Sequence, residues 1–204
     1  SDPLTYGSIA EIGAGQEVAR HFYQAGGASK TIAQTLSAYD MQFSDAVYGR
    51  EETGRYVTRS RLESMLDKEY GQLLERVAGV RPAESRYFAF ADTVAAKQYK
   101  ADMECHGWMG IKFQHEAGAD ASSVVFHVRM FDSSNRGQQE SLGVVGVNLI
   151  HSTFHKDLRA PGFVASLADN LVWGRIEIDF IHCAGPAFDG VDNRVLNLQL
   201  VTDS

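Results

Sequence analysis

The sequence predicts an α+β fold, with a ferredoxin-like, split βαββαβ antiparallel sheet preceded by an N-terminal three-helix segment. Three observations predict it. Apolar residues recur at helical spacing before Pro82, and the period shortens to that of strands after it. From there the elements run strand, helix, strand, strand, helix, strand, with one extra helix ahead of the last strand. Residues 1–81 are then a helical segment packed on a sheet domain of residues 82–204, the two forming one unit.

The helical segment opens with residues 16–25, where Val18 and Phe22 stand four apart and Gly26-Gly27 ends the run. A longer helix from Ser29 to Gly49 carries Ile32, Leu36, Tyr39, Phe43 and Val47 in one stripe. A third begins at the capping box Ser60-Arg61-Leu62-Glu63, with Leu62, Leu66, Tyr70, Leu73 and Val77 as its apolar face, and stops at Gly79 and Pro82.

Past Pro82, residues 87–91 read as a buried strand, and Asp92 as the cap of a short helix over 93–100. Strands follow at 108–113 and 124–131, joined by a hairpin loop around Gly118. A turn at 132–135 leads into a helix over 138–153, whose Gly143 and Gly146 give it a close-packing face. Residues 163–171 read as helix, 175–182 as the fourth strand, and the stretch capped by Asp192 or Asn193 as a last helix.

Composition narrows the function. With 44% hydrophobic residues the chain of 204 residues can build a core, which excludes a disordered tail. No apolar run approaches the roughly 20 residues of a membrane-spanning helix. A formal net charge of −7 disfavours broad electrostatic binding of nucleic acid. Two cysteines are too few for a disulfide scaffold, so both are expected as reduced thiols in a cytoplasmic protein. The start at Ser1 shows no signal-peptide pattern, and the apolar stretch 193–201 just before the end suggests a fragment of something longer.

Three groups of residues carry candidate chemistry. The first is the run Glu11-Ile12-Gly13-Ala14-Gly15, which matches the acid-hydrophobe-Gly-x-Gly motif of S-adenosylmethionine-dependent methyltransferases, where glycines let the backbone approach the cofactor. Against it, Glu17 replaces the third glycine, the strand would be four residues long, and a helix occupies the place of the second strand and its ribose-binding acid. A glycine-rich turn capping a helix, with Glu17 in the first turn, satisfies the same residues.

The second group comes from strand alternation. If the apolar faces of the strands meet the helices, the reverse side carries Lys112, His127, Arg129, Glu177 and Asp179, with Phe131 and Ile181 beside them and Phe180 on the apolar side. A solvated face laced with cross-strand ion pairs accounts for these residues. As a site, Glu177 or Asp179 would act as base, His127 as proton carrier and Arg129 as anion clamp.

The third is the loop 48–61, where Arg50, Arg55 and Arg59 stand with Arg61 among two glycines and flanking tyrosines. Guanidinium forks at a helix N-terminus suit a phosphate or carboxylate, although Glu51, Glu52 and Glu63 can neutralise them internally. Cys105-His106 and His182-Cys183 lack zinc-ligand spacing, so no metal site is expected, and the sequence identifies no cofactor.

The runs Ile9–Arg20, Ser37–Met41 and Gly143–Leu149 resemble a family of bacterial proteins of uncharacterised function. The resemblance covers the whole chain, as the N-terminal part of a longer protein. Members sometimes carry the labels nicotinate-nucleotide adenylyltransferase or TonB-dependent receptor. The His-x-Gly-His phosphate motif of the former is absent, as is an outer-membrane barrel pattern, and no catalytic residues come with the resemblance. It implies a bacterial, cytoplasmic origin and a fragment of a longer protein; the first reading of the chain is an α+β domain with an assembly or ligand-sensing role in that larger protein. The alternative is an enzyme, or half of one, acting on a phosphorylated or nucleotide-like small molecule, with a methyltransferase as the third reading. Expected partners are an anionic small molecule and a second copy or domain, not a membrane.

Overall fold

The computed structural model describes residues 2–13, 15–51, 54–77, 79–95, 105–172 and 174–189. Its elements are β1 (Thr5–Gly13), α1 (Val18–Ala25), β2 (Ile32–Ala38), α2 (Met41–Tyr48), α3 (Arg59–Val77), β3 (Arg86–Ala95), β4 (Cys105–Phe113), β5 (Ser122–Met130), α4 (Asn135–His155), α5 (Gly162–Ser166) and β6 (Ile176–Ala184). The strands form one six-stranded mixed sheet in the order β2-β1-β3-β4-β5-β6. β1 runs parallel to β2 and β3, while β3 to β6 pair antiparallel in chain order.

A mixed α+β fold is therefore present, but the ferredoxin-like strand order is not. That order interleaves the strands of two βαβ halves, whereas here β3, β4, β5 and β6 lie side by side as they occur along the chain. The three-helix segment is also corrected. Its middle member divides into edge strand β2 and short helix α2, with Asp40 between them capping α2 through Oδ1 to the Gln42 amide at 2.9 Å. Ile32 and Leu36 fit a helix at a spacing of four, yet Ile32, Gln34, Leu36 and Ala38 equally fit a strand at a spacing of two. Parallel pairing with β1 selects the strand.

β1 escapes sequence reading because burial on both of its sides removes the alternation that would mark it. β3 passes straight through Asp92, which sits in register with Glu11 of β1. Of the short helix expected over 93–100, residues 93–95 are strand, and 96–100 lie outside the described residues, as does the expected C-terminal helix. α3 starts slightly earlier than expected: its first-turn amide at Arg61 bonds Thr58 Oγ1 at 3.1 Å, so Thr58 replaces Ser60 as cap.

Helices cover both sides of the sheet. On one side α1, α4 and α5 pack on Phe88, Phe90, Met109, Ile111, Phe113 and Phe126, with Val18, Leu142, Val145 and Phe163 facing them. The glycines of α4 are needed there. A Cβ at Gly146 would lie 2.4 Å from Val18 Cγ2, and one at Gly143 would lie 2.2 Å from His21 Nδ1, so only glycine lets α1 come this close. On the other side Leu62, Met65 and Leu66 of α3 cover Ala10, Ile12, Ala91 and Val125. Because α3 lies over β1, β3 and β4, the outer side of β5 and β6 stays partly open.

Candidate functional site

Cross-strand register builds that open side in rows. The first row is His106, Arg129 and Glu177; the second is Trp108, His127 and Phe180; the third is Gly110, Val125 and His182. Register slips between His127 and Val128, which pair with Phe180 and Ile178 and leave Asp179 as an extra, bulged residue. The bulge corrects the expected alternation of β6. Beyond it Phe180 and His182 turn outward, and Ile181 and Cys183 enter the core.

The rows are tied together by directional contacts. His127 Nδ1 lies 2.7 Å from Asp179 Oδ1, and His127 Nε2 lies 3.0 Å from His106 Nδ1. A carboxylate only accepts, so a neutral His127 donates from Nδ1 to Asp179 and accepts at Nε2 from the His106 Nδ1–H. The His127 ring also stands 5.0 Å from Trp108, whose indole meets Phe180 edge-on at 5.6 Å. From the start of α3, Arg59 reaches over this surface. Its guanidinium sits 5.5 Å from the Phe180 centroid and 3.2 Å from His182 Nδ1, while its Nε donates to Glu63 at 2.7 Å. Arg129 pairs with Glu177 at 3.5 Å.

Five of the expected site residues, His127, Glu177, Asp179, Arg129 and Arg59, thus gather on one surface, with Lys112 two rows away paired to Asp67 at 2.6 Å. Arg50 and Arg55 lie exposed on the loop ahead of α3. His106, Trp108, Phe180 and His182 were missed. For β4 the signal was present: His106 and Trp108 continue the alternation of Lys112. For β6 the bulge hid it.

The arginine loop has an organising residue that sequence reading passed over. The Arg61 side chain is fully buried, donating to the Gly49 carbonyl at 2.8 Å and to Asp45 at 3.2 Å, with Glu51 3.5 Å from its Nε. The loop is therefore wrapped around its own cation.

The glycine motif after β1 sits at a switch point, where β1 connects outward to β2 and the chain then returns past β1 to β3. The glycines are required by geometry. Gly13 has φ +80°, and a Cβ at Gly15 would lie 2.7 Å from Asp92 Oδ1. The strand is nine residues long and a second strand does follow, so two of the three features set against the methyltransferase motif fall away. The anchoring groups, however, are already engaged. Glu11 takes the first amides of α1, with Val18 N at 2.6 Å from Oε1 and Ala19 N at 3.3 Å from Oε2. The acid at the end of β2, Asp40, caps α2. Burial pushes the Glu11 carboxyl up to about 7 against the lowering effect of those amides. Asp92, wholly buried, is held well above the usual carboxylate range by burial and by the Glu11 charge, against the lowering effect of the Ile12 amide.

Cys105 and Cys183 are free and buried on the α4 side, whereas His106 and His182 point the opposite way, as strand alternation demands of sequence neighbours. Among the described residues no group of three or more His, Cys, Asp or Glu side chains is placed to hold a metal ion. No helix among them is long and apolar enough to cross a membrane.

No family model and no curated protein matches the chain. Solved structures do. A competence/damage inducible protein CihA from Agrobacterium tumefaciens is 16% identical with a TM-score of 0.51, over 73% of this chain and 85% of that one. A competence-damaged protein (CinA) superfamily protein from Escherichia coli is 13% identical with a TM-score of 0.45, over 71% and 75%. A competence or damage-inducible protein from Enterobacter asburiae is 9% identical with a TM-score of 0.47, over 73% and 87%. At such identity the Agrobacterium likeness shows a shared fold and leaves the chemistry to be argued from the site.

Proposed function

We propose that this chain is a ligand-sensing domain that binds a small anionic, nucleotide-like molecule on the outer side of β4, β5 and β6. The observation that carries this reading is the Asp179–His127–His106 hydrogen-bonded chain set beside Trp108 and Phe180 and overhung by Arg59. The aromatic faces suit a flat ring, and Arg59, Arg129 and the imidazoles suit its anionic substituent. In a chain of net charge −7 such a concentration of donors stands out locally. The test is thermal shift against nucleoside monophosphates, dinucleotides and phosphorylated metabolites. Stabilisation is expected for a nucleoside monophosphate, whose base can stack on Trp108 and Phe180, and not for the bare nucleoside. It should be lost in Arg59→Gln and in Trp108→Ala; an unchanged shift in both variants refutes the assignment.

A second reading, an enzyme acting on the same class of molecule, is favoured by the orientation of His127. Asp179 fixes the Nδ1–H tautomer and so leaves Nε2 as a base once a substrate displaces His106. Glu177 then serves to hold Arg129. If this reading is right, His127→Asn abolishes turnover of the bound compound, followed by mass spectrometry, while leaving its thermal shift in place. No turnover by the unmodified chain leaves the sensing role.

A further inference from the structure

On the opposite side of the sheet, a cleft of about 350 Å³ opens between α1, α4 and the segment leading into β6. Three arginines line it, one from each element: Arg20, Arg136 and Arg175. Each is held by a carboxylate in the same way, through Nε. Arg20 bonds Glu17 at 2.5 Å, Arg136 bonds Glu140 at 2.9 Å, and Arg175 meets Asp132 at 3.3 Å. Among the described residues those are their only polar contacts, so the terminal fork of each guanidinium remains available. Each arginine is thus balanced in charge by its own carboxylate, Glu17, Glu140 or Asp132, and what the cleft gains is three sets of terminal N–H donors.

The remaining wall is built rather than incidental. Asn148 of α4 donates from Nδ2 to the Leu167 carbonyl at 3.0 Å and the Asp169 carbonyl at 2.7 Å, which pins the segment carrying Asn170 and Leu171. Asn170 is the only described non-glycine residue with positive φ, 62°. It lines the cleft with Gln24, two carboxamides able to meet hydroxyl groups.

We propose that this cleft binds a small phosphate monoester, its phosphate held by the arginine forks and its hydroxylated carbon chain by Gln24 and Asn170. Three guanidinium groups lining one cleft match the several acceptor oxygens of a phosphate monoester. A volume near the lower end of ordinary ligand pockets limits the rest of the molecule to about the size of a sugar. The site is separate from the face of β4 to β6 and does not rest on the reading given for it.

The experiment is calorimetric titration of the full chain with ribose 5-phosphate, ribose and inorganic phosphate. Saturable binding is expected for ribose 5-phosphate, weaker binding for phosphate and none for ribose. The exposed pair Arg20→Gln with Arg136→Gln should weaken ribose 5-phosphate binding at least about tenfold, and Arg175→Gln should do the same alone. Arg59→Gln should leave it unchanged. Absence of saturable binding overturns the proposal. So does binding that survives the cleft variants, or that disappears in Arg59→Gln and Trp108→Ala, which would move the phosphate site to the other side of the sheet.

Discussion

Replacing Glu11 with Gln should change how stability depends on pH more than it changes stability at acid pH. Burial raises this carboxyl from the ordinary 4.5 to about 7 in the folded chain. Between those values the folded state holds a proton that the unfolded state has released, so stability falls as pH rises through the interval. A rise of about 2.5 pH units corresponds to roughly 3 kcal/mol, fully present below pH 4.5 and gone above pH 7. Gln cannot ionise, and its single carbonyl oxygen still accepts from the Val18 amide. It gives up the second oxygen that faces the Ala19 amide, about 1 kcal/mol. Denaturant unfolding of both proteins from pH 4 to pH 8 measures the difference directly. The variant should be the less stable at pH 4 and gain on the parent by roughly 3 kcal/mol across the range. Removal of the Glu11 charge also relieves Asp92, which adds in the same direction. A constant difference between the two proteins over this range would refute the argument, because it would mean that Glu11 titrates alike folded and unfolded.

Arg61→Leu should unfold at markedly lower denaturant, by about 3–5 kcal/mol, since it leaves Asp45, Glu51 and the Gly49 carbonyl without their shared donor; protease cleavage within 49–57 should rise with it. Two glycine-to-alanine changes should move the melting temperature in opposite directions. Gly146→Ala pushes a methyl into Val18 and costs about 1–3 kcal/mol, whereas Gly71→Ala, with open space around its Cβ in the middle of α3, adds about 0.5–1 kcal/mol.

Legibility followed the strength of local pattern. α3 was plain from Leu62, Leu66, Tyr70 and Leu73, and α4 from Gly143 and Gly146, because one face of each meets the core at a regular period. β4 and β5 announced themselves for the same reason, and with them the company of Lys112, His127 and Arg129. Three features had no local signature. Ile32 and Leu36 satisfy two periods at once, and only pairing with a distant strand decides between them. Asp92 looks like a helix cap, since nothing nearby in sequence tells a buried acid from an exposed one; its neighbour Glu11 lies 81 positions away. The slip at Asp179 is a property of two strands together, so β6 alone predicts the wrong side for Phe180.

That slip has a consequence for how this surface tolerates change in chain length. One surplus residue in β6 decides which side chains of its second half see water. Excising Asp179 would restore unbroken pairing with every other side chain kept on its face, Ile178 opposite Val128 and Phe180 opposite His127, and would remove only the carboxylate that holds His127. A loss of one codon there would spare the fold, whereas the same loss two or three residues later would turn the rest of the strand onto the wrong face.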